Sequence, residues 1–146
     1  MTSGQTIAWS PGVTLELMNE RSRNTMVDNL GIVLTEMGTD FLRGTMPVNS
    51  RSCQPMRLLH GGASVAFAET LASIGANCSV GEDQAAVGQE INANHLRSAL
   101  EGEIVTGTTR LLHAGARTQV WTIEIHNARG ELVCVSRITM AIIRRR

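Results

Sequence analysis

The chain has 146 residues, 42% of them apolar, with 13 basic and 13 acidic side chains and a formal charge of zero; it is long enough for one domain with its own core and carries no charge excess to draw nucleic acid or an anionic membrane. All 13 basic residues are arginine, with no lysine and no tyrosine, which removes a phosphate-loop or Schiff-base lysine, a pyridoxal enzyme and a tyrosine general acid. The three cysteines, Cys53, Cys78 and Cys134, are odd in number and widely spaced, so they form neither a disulfide framework nor a zinc site and point to a reducing, cytoplasmic setting.

Residues 1–12, rich in Ser, Gly, Thr and Pro, read as a flexible, loosely attached N-terminus, with the folded domain over 13–146. They contain no secretion-type apolar run, and no stretch of the chain is long and apolar enough to cross a membrane, so a soluble, untargeted protein is expected. Thr14–Arg21 predicts a short amphipathic helix, and Asn24 is placed to cap a further turn through Leu30. Ile32–Met37 and Phe41–Val48 predict two strands joined at Gly38-Thr39-Asp40, followed by a polar loop over Asn49–Pro55. Gly61–Asn77 predicts a long, almost wholly apolar helix. After a break at Gly81-Glu82-Asp83 come four strand-like stretches, Ala86–Leu96, Ile104–Leu112, Thr118–His126 and Leu132–Ile143, spaced as an antiparallel meander. The expected class is α+β, one long helix wrapped by a curved antiparallel sheet.

Glu69 sits inside that helix with no charged residue three or four positions away on either side. Burying an unpaired carboxylate costs several kcal/mol, about enough to require a use for it, although a Glu bonded to backbone or Ser is the structural alternative. At the other end, Gly61 and Gly62 open the helix with no side chain over their amides, and a helix N-terminus offers unpaired N–H groups to an oxyanion. Gly61 is eight residues from Glu69, ~12 Å along the axis, too far for both to touch one carbonyl. Two copies packed antiparallel across a two-fold axis would bring Gly61 of one to Glu69 of the other, so an obligate homodimer with two shared sites is expected.

Gln54-Pro-Met-Arg-Leu-Leu-His60-Gly-Gly-Ala-Ser with Glu69 following, then Gly88-Gln-Glu-Ile-Asn-Ala-Asn-His95-Leu-Arg97-Ser and Leu112-His113-Ala-Gly115-Ala-Arg117, together resemble the hotdog thioesterases of the phenylacetate-pathway group. The two later segments resemble those of the branch holding 1,4-dihydroxy-2-naphthoyl-CoA and enterobactin proofreading thioesterases. The resemblance implies the hotdog fold and hydrolysis of aroyl or related acyl-CoA thioesters without metal or redox cofactor, coenzyme A entering only as part of substrate and product. It implies Glu69 as nucleophile or general base, the Gly61 N–H as oxyanion donor, and Gln54 and His60 as positioning groups. Gly88, His95, Leu96, Arg97, Ser98, His113, Gly115 and Arg117 would line the coenzyme A channel. Ser73, four residues after Glu69, shares its helix face and could hold the same water.

Each of these has a plainer reading: Gly61 a helix-start glycine, His60 a cap, Ser73 packing, and the strand-end histidines and arginines solvated surface. The chain departs from its relatives at Met56-Arg57, where Arg57 would either enter the acyl pocket or point to solvent. Alternatives are action on aliphatic or carrier-protein-bound acyl groups, hydration or dehydration of an acyl-CoA, and a non-hydrolytic acyl-CoA-binding dimer; a tetramer built from two dimers is also open.

Overall fold

The structure, a computed structural model, describes residues 3–146. Two short helices come first, α1 (Leu15–Arg21) and α2 (Met26–Asn29). They are followed by strands β1 (Val33–Met37) and β2 (Phe41–Pro47), the long helix α3 (Gly61–Asn77), and strands β3 (Gln84–His95), β4 (Ile104–Ala114), β5 (Thr118–His126) and β6 (Leu132–Arg144). Among the described residues no helix is long and apolar enough to cross a membrane.

Local chemistry sets the helix starts. Thr14 accepts a hydrogen bond from the Leu17 N–H, and Thr25 accepts one from Val27. Asn24, expected to cap α2, instead turns the chain just before it with φ at 58°, and its N–H donates to the Asp28 carboxylate at 3.1 Å; Asn tolerates this left-handed geometry. In the strands, β2 and β5 bury every second residue, so one sheet face meets α3 and the other meets solvent.

The sheet is six-stranded and antiparallel, in the order β1-β2-β4-β5-β6-β3. The expected meander holds for β4-β5-β6 but not for β3, which pairs with β6 rather than β4. The cause lies in residues 96–103, which cross the end of the sheet instead of turning back. Leu59 N–H donates to Ala99 C=O and Glu101 N–H to Arg57 C=O, while the Gly102 N–H bonds Val48 C=O. β3 is thus left as a twelve-residue edge strand.

The sheet wraps α3. Phe67 and Leu71 are fully buried against Leu42, Met46, Val105, Trp121, Ile123 and Ile125. Close approach is possible because Gly44 and Gly107, paired across β2 and β4, are bare beneath Leu71; a Cβ on Gly107 would lie 2.6 Å from its Cδ1.

The expectation of a loose N-terminus is not met by the described part of it, Ser3–Gly12. Gln5 N–H donates to Leu111 C=O and Ile7 N–H to Thr39 C=O, both at 2.7 Å, and Ser10 N–H reaches Cys78 C=O at 2.8 Å. Ile7 is buried, and the Trp9 indole N–H donates to Gly38 C=O at 2.8 Å. This strap ties the β1–β2 hairpin to the C-terminal end of α3; Met1 and Thr2 lie outside the described residues.

Candidate active site

Two separate cavities hold most of the residues singled out from the sequence. The larger, about 370 Å³, is lined by Gln54, Gly61, Ser64, His95, Leu96, Arg97 and Ser98 among others. α3 starts here, and its first N–H, that of Gly61, makes no hydrogen bond within the described chain; the carbonyl of His60 takes the next ones, from Ala63 and Ser64, at 2.9 and 3.1 Å. His60 Nδ1 accepts from the Gly62 N–H at 2.8 Å, so its ring is the cap of α3, on an exposed side chain. The His95 ring comes so near Gly61 that a Cβ there would meet Nε2 at 3.0 Å. Gln54 closes a turn: its side-chain oxygen accepts from the Met56 N–H, and its N–H from the backbone pairs with Leu58 C=O at 2.8 Å. That leaves the Gln54 amide NH₂, a donor, for the cavity.

The second cavity, about 150 Å³, holds Glu69 with Gly88, Gln89, Glu90, Ile91 and Ile138. Glu69 was expected to be buried; in the chain alone it is only half-buried, because β3 is an edge. Its carboxylate fills the space over Gly88, where a Cβ would stand 2.5 Å from Oε1. A β-bulge between Gly88 and Glu90 bends the edge strand at this point.

Strand register explains the separation. Gly88 pairs with Met140, whereas His95 pairs with Cys134, six residues along β6, or ~20 Å at about 3.3 Å per residue. The β4–β5 turn belongs to the Gly88 end. Thr118 pairs with Ala141, the partner of Val87, and the Gly115 N–H closes the turn on Thr118 C=O at 2.8 Å. His113 folds over that turn, with Nε2 2.8 Å from where a Gly115 Cβ would stand, and Arg117 is exposed beside it. Of the channel residues inferred from the resemblance, His95, Leu96, Arg97 and Ser98 therefore join Gly61, while Gly88, His113, Gly115 and Arg117 lie toward Glu69.

Ser73 lies toward the Glu69 end, against Met140, the register partner of Gly88. Its hydroxyl is 4.0 Å from the Met140 sulfur, and it lines a third, mainly apolar hollow of about 330 Å³ with Met18, Val27, Ile74 and Asn77.

Arg57 points to the surface. With φ at 62° it closes the Gln54 turn, and its guanidinium forms a two-point pair with Glu101, one arm at 2.8 Å. The hydrogen bond and charge of Glu101 raise the Arg57 pKa; the hydrogen bond from Arg57 holds Glu101 below the usual carboxylate range. Arg97 donates to Leu132 C=O at 3.4 Å and its charge adds to the lowering of Glu131, which comes first from the Asn127 and Arg129 hydrogen bonds. Burial pushes the Cys134 thiol up, keeping this neighbour of His95 a thiol rather than a nucleophilic thiolate. Sequence reasoning passed over Ser64: a serine in an apolar helix reads as packing, and its signal is the i,i+3 spacing from Gly61.

Comparison with known proteins gives the family. Residues 56–134 match the family model of the thioesterase superfamily. The chain is 51% identical to a 1,4-dihydroxy-2-naphthoyl-CoA hydrolase of Escherichia coli, over 92% of this chain and 98% of that one. It is 45% identical to the proofreading thioesterase EntH of Cronobacter sakazakii over the same shares. A solved thioesterase from Pseudomonas aeruginosa, carrying a glutamine-to-alanine change, superposes with a TM-score of 0.91 at 39% identity, covering 94% of this chain and 99% of that one. With a long helix wrapped by a six-stranded antiparallel sheet and matches of this extent, the chain belongs to the thioesterase superfamily and is a thioester hydrolase of the hotdog fold.

Proposed function

We propose that the protein hydrolyses aroyl or related acyl thioesters of coenzyme A at two equivalent sites, each shared between two copies. The observation that carries this is the division of donors and carboxylate. Gly61 offers a free N–H in one cavity and Glu69 a carboxylate in another, on one rigid helix that keeps them ~12 Å apart. The edge strand β3 connects both, since Gly88 faces Glu69 and His95 faces Gly61. Antiparallel pairing of β3 with its copy, centred between Ile91 and Asn92, sets Gly88 opposite His95 of the second chain and unites the halves. The edge is suited to this: Asn77 occupies the N–H and C=O of Ala86, at 2.9 and 2.8 Å, so the strand is closed above Gly88 and open below.

In the united site the Gly61 N–H polarises the thioester carbonyl and stabilises oxygen charge as the tetrahedral species forms. Glu69 either draws a proton from an attacking water, whose hydroxyl stays on the acyl carbon as the C–S bond breaks and whose proton passes to the departing sulfur, or attacks the acyl carbon itself. Direct attack releases the thiolate and leaves an acyl-Glu69 anhydride that water then cleaves to the free acid, a proton of that water going to the sulfur. Coenzyme A is a leaving group good enough to need no strong acid. Water is the only co-reactant required. In this reading the Gln54 NH₂ and the second ring nitrogen of His60 orient carbonyl and water, and Arg97 and Arg117 supply guanidinium forks for phosphate. The aroyl assignment draws on the named substrate of the Escherichia coli relative. The three free thiols suit a cytoplasmic location.

The test is thiol release from benzoyl-type, naphthoyl-type, short and long aliphatic CoA thioesters, with Glu69→Gln beside the wild type. Turnover of an aryl member that drops about 10²- to 10⁴-fold in the variant is expected. Turnover of aliphatic members alone overturns the aroyl assignment, and binding of coenzyme A without turnover overturns hydrolysis of its thioesters.

A further inference from the structure

One turn into α3, Ser64 is 2% exposed yet lines the cavity of Gly61, Gln54 and His95. Side chains on a helix lean toward its N-terminus, so Ser64 overhangs Gly61 at i−3. Helical hydroxyls commonly bond the carbonyl one turn back, as Ser22 does to Met18 at 3.0 Å and Thr70 to Ala66 at 2.7 Å. The Ser64 hydroxyl makes no such bond, nor any other among the described residues. Every sealed side-chain polar atom there has a partner. An unpartnered hydroxyl on a residue this buried therefore opens onto the one surface available to it, the cavity. It forms no hydrogen bond with His95, so no base is set to take its proton and it is not a nucleophile. What remains is a donor beside a second donor.

We propose that Ser64 is a catalytic residue: its O–H and the Gly61 N–H donate together to the thioester carbonyl oxygen. The proposal rests on the thioesterase reading above. Charge grows on that oxygen when the acyl carbon becomes tetrahedral, and two preorganised donors in a part-enclosed cavity hold it better than one. The hydroxyl itself transfers no proton and is unchanged after turnover.

The experiment compares Ser64→Ala and Ser64→Cys with wild type and Glu69→Gln. Cysteine keeps the volume while offering only a weak S–H donor. Both Ser64 variants are expected to lose at least about tenfold in kcat, within the range for a lost oxyanion donor, with KM and the thermal midpoint little changed. A second readout uses two unreactive coenzyme A ligands: a ketone with CH₂ in place of sulfur, and a thioether without a carbonyl. Ser64→Ala should weaken the ketone and leave the thioether as before. Undiminished kcat in Ser64→Ala, with Glu69→Gln inactive, overturns the proposal alone. Rescue by cysteine, or equal weakening of both ligands, assigns Ser64 to packing and overturns it as well. A wild type that hydrolyses no thioester overturns the underlying reading instead, and this proposal with it.

Discussion

Gly88 makes room for the carboxylate on which the proposed chemistry depends. A methyl group there would stand 2.5 Å from Glu69 Oε1 and 3.5 Å from its Cδ, so the side chain must swing away. Gly88→Ala is expected to lower kcat by about tenfold or more, since small misplacements of a reacting group are costly. Steady-state kinetics, on protein shown by sizing to keep its assembly, checks this. The shorter Glu69→Asp should lose less activity in the Gly88→Ala background than in wild type, which a double-mutant cycle reads directly. Arg57 gives the opposite expectation. Its guanidinium is held by Glu101 at the surface, so Arg57→Ala should leave KM for acyl substrates unaltered. The pair's effect on stability follows the Glu101 pKa, which is lowered in the folded state: it is present at neutral pH and fades as acid protonates Glu101. Both side chains are largely exposed, so the stability difference between wild type and Arg57→Ala should be small, screened by salt, and gone in acid denaturation profiles below the carboxylate range.

Among the elements, the sequence made helix and strand existence plain and strand order obscure. Period-2 alternation in Val120–His126 and the apolar run after Gly61 mark β5 and α3 because a residue's exposure follows from its own element's period. Pairing of β3 with β6 is decided by the 96–103 crossing, whose backbone bonds to Arg57, Leu59 and Val48 leave no mark in composition. The N-terminal strap was hidden for the same reason: Ser, Gly and Pro read as loose chain, and its hold comes from backbone bonds plus Ile7 and Trp9. Within the site, the Gly61 start and the lone Glu69 could be read in advance; the placement of Ser73 in a different hollow could not, since i,i+4 spacing fixes a helix face but not the sheet residue opposite. Asn77 links these elements. Asn77→Ala removes two hydrogen bonds to Ala86 and should cost roughly 1–3 kcal/mol, with faster hydrogen exchange at the Ala86 amide than in wild type. Gly107→Ala, which presses a methyl into Leu71 and Phe67, should cost about 1–3 kcal/mol in denaturant unfolding.

For the whole molecule, the central claim is that one chain is half of each site. The test uses two variants that each remove one half. Glu69→Gln removes the carboxylate. Gly61→Pro removes the N–H while keeping the helix, because proline suits the first helical position and His60 before it is already extended at φ −68° and ψ 132°. A Cβ at position 61 would meet the His95 imidazole at 3.0 Å, so that side chain must shift to admit the proline. Each homodimer alone should be inactive. After mixing and verified subunit exchange, random pairing yields heterodimers in which one site has both an intact Gly61 and an intact Glu69, and activity should return to about a quarter of wild type. No recovery, with exchange demonstrated by mass-tagged subunits, would contradict a site shared between chains.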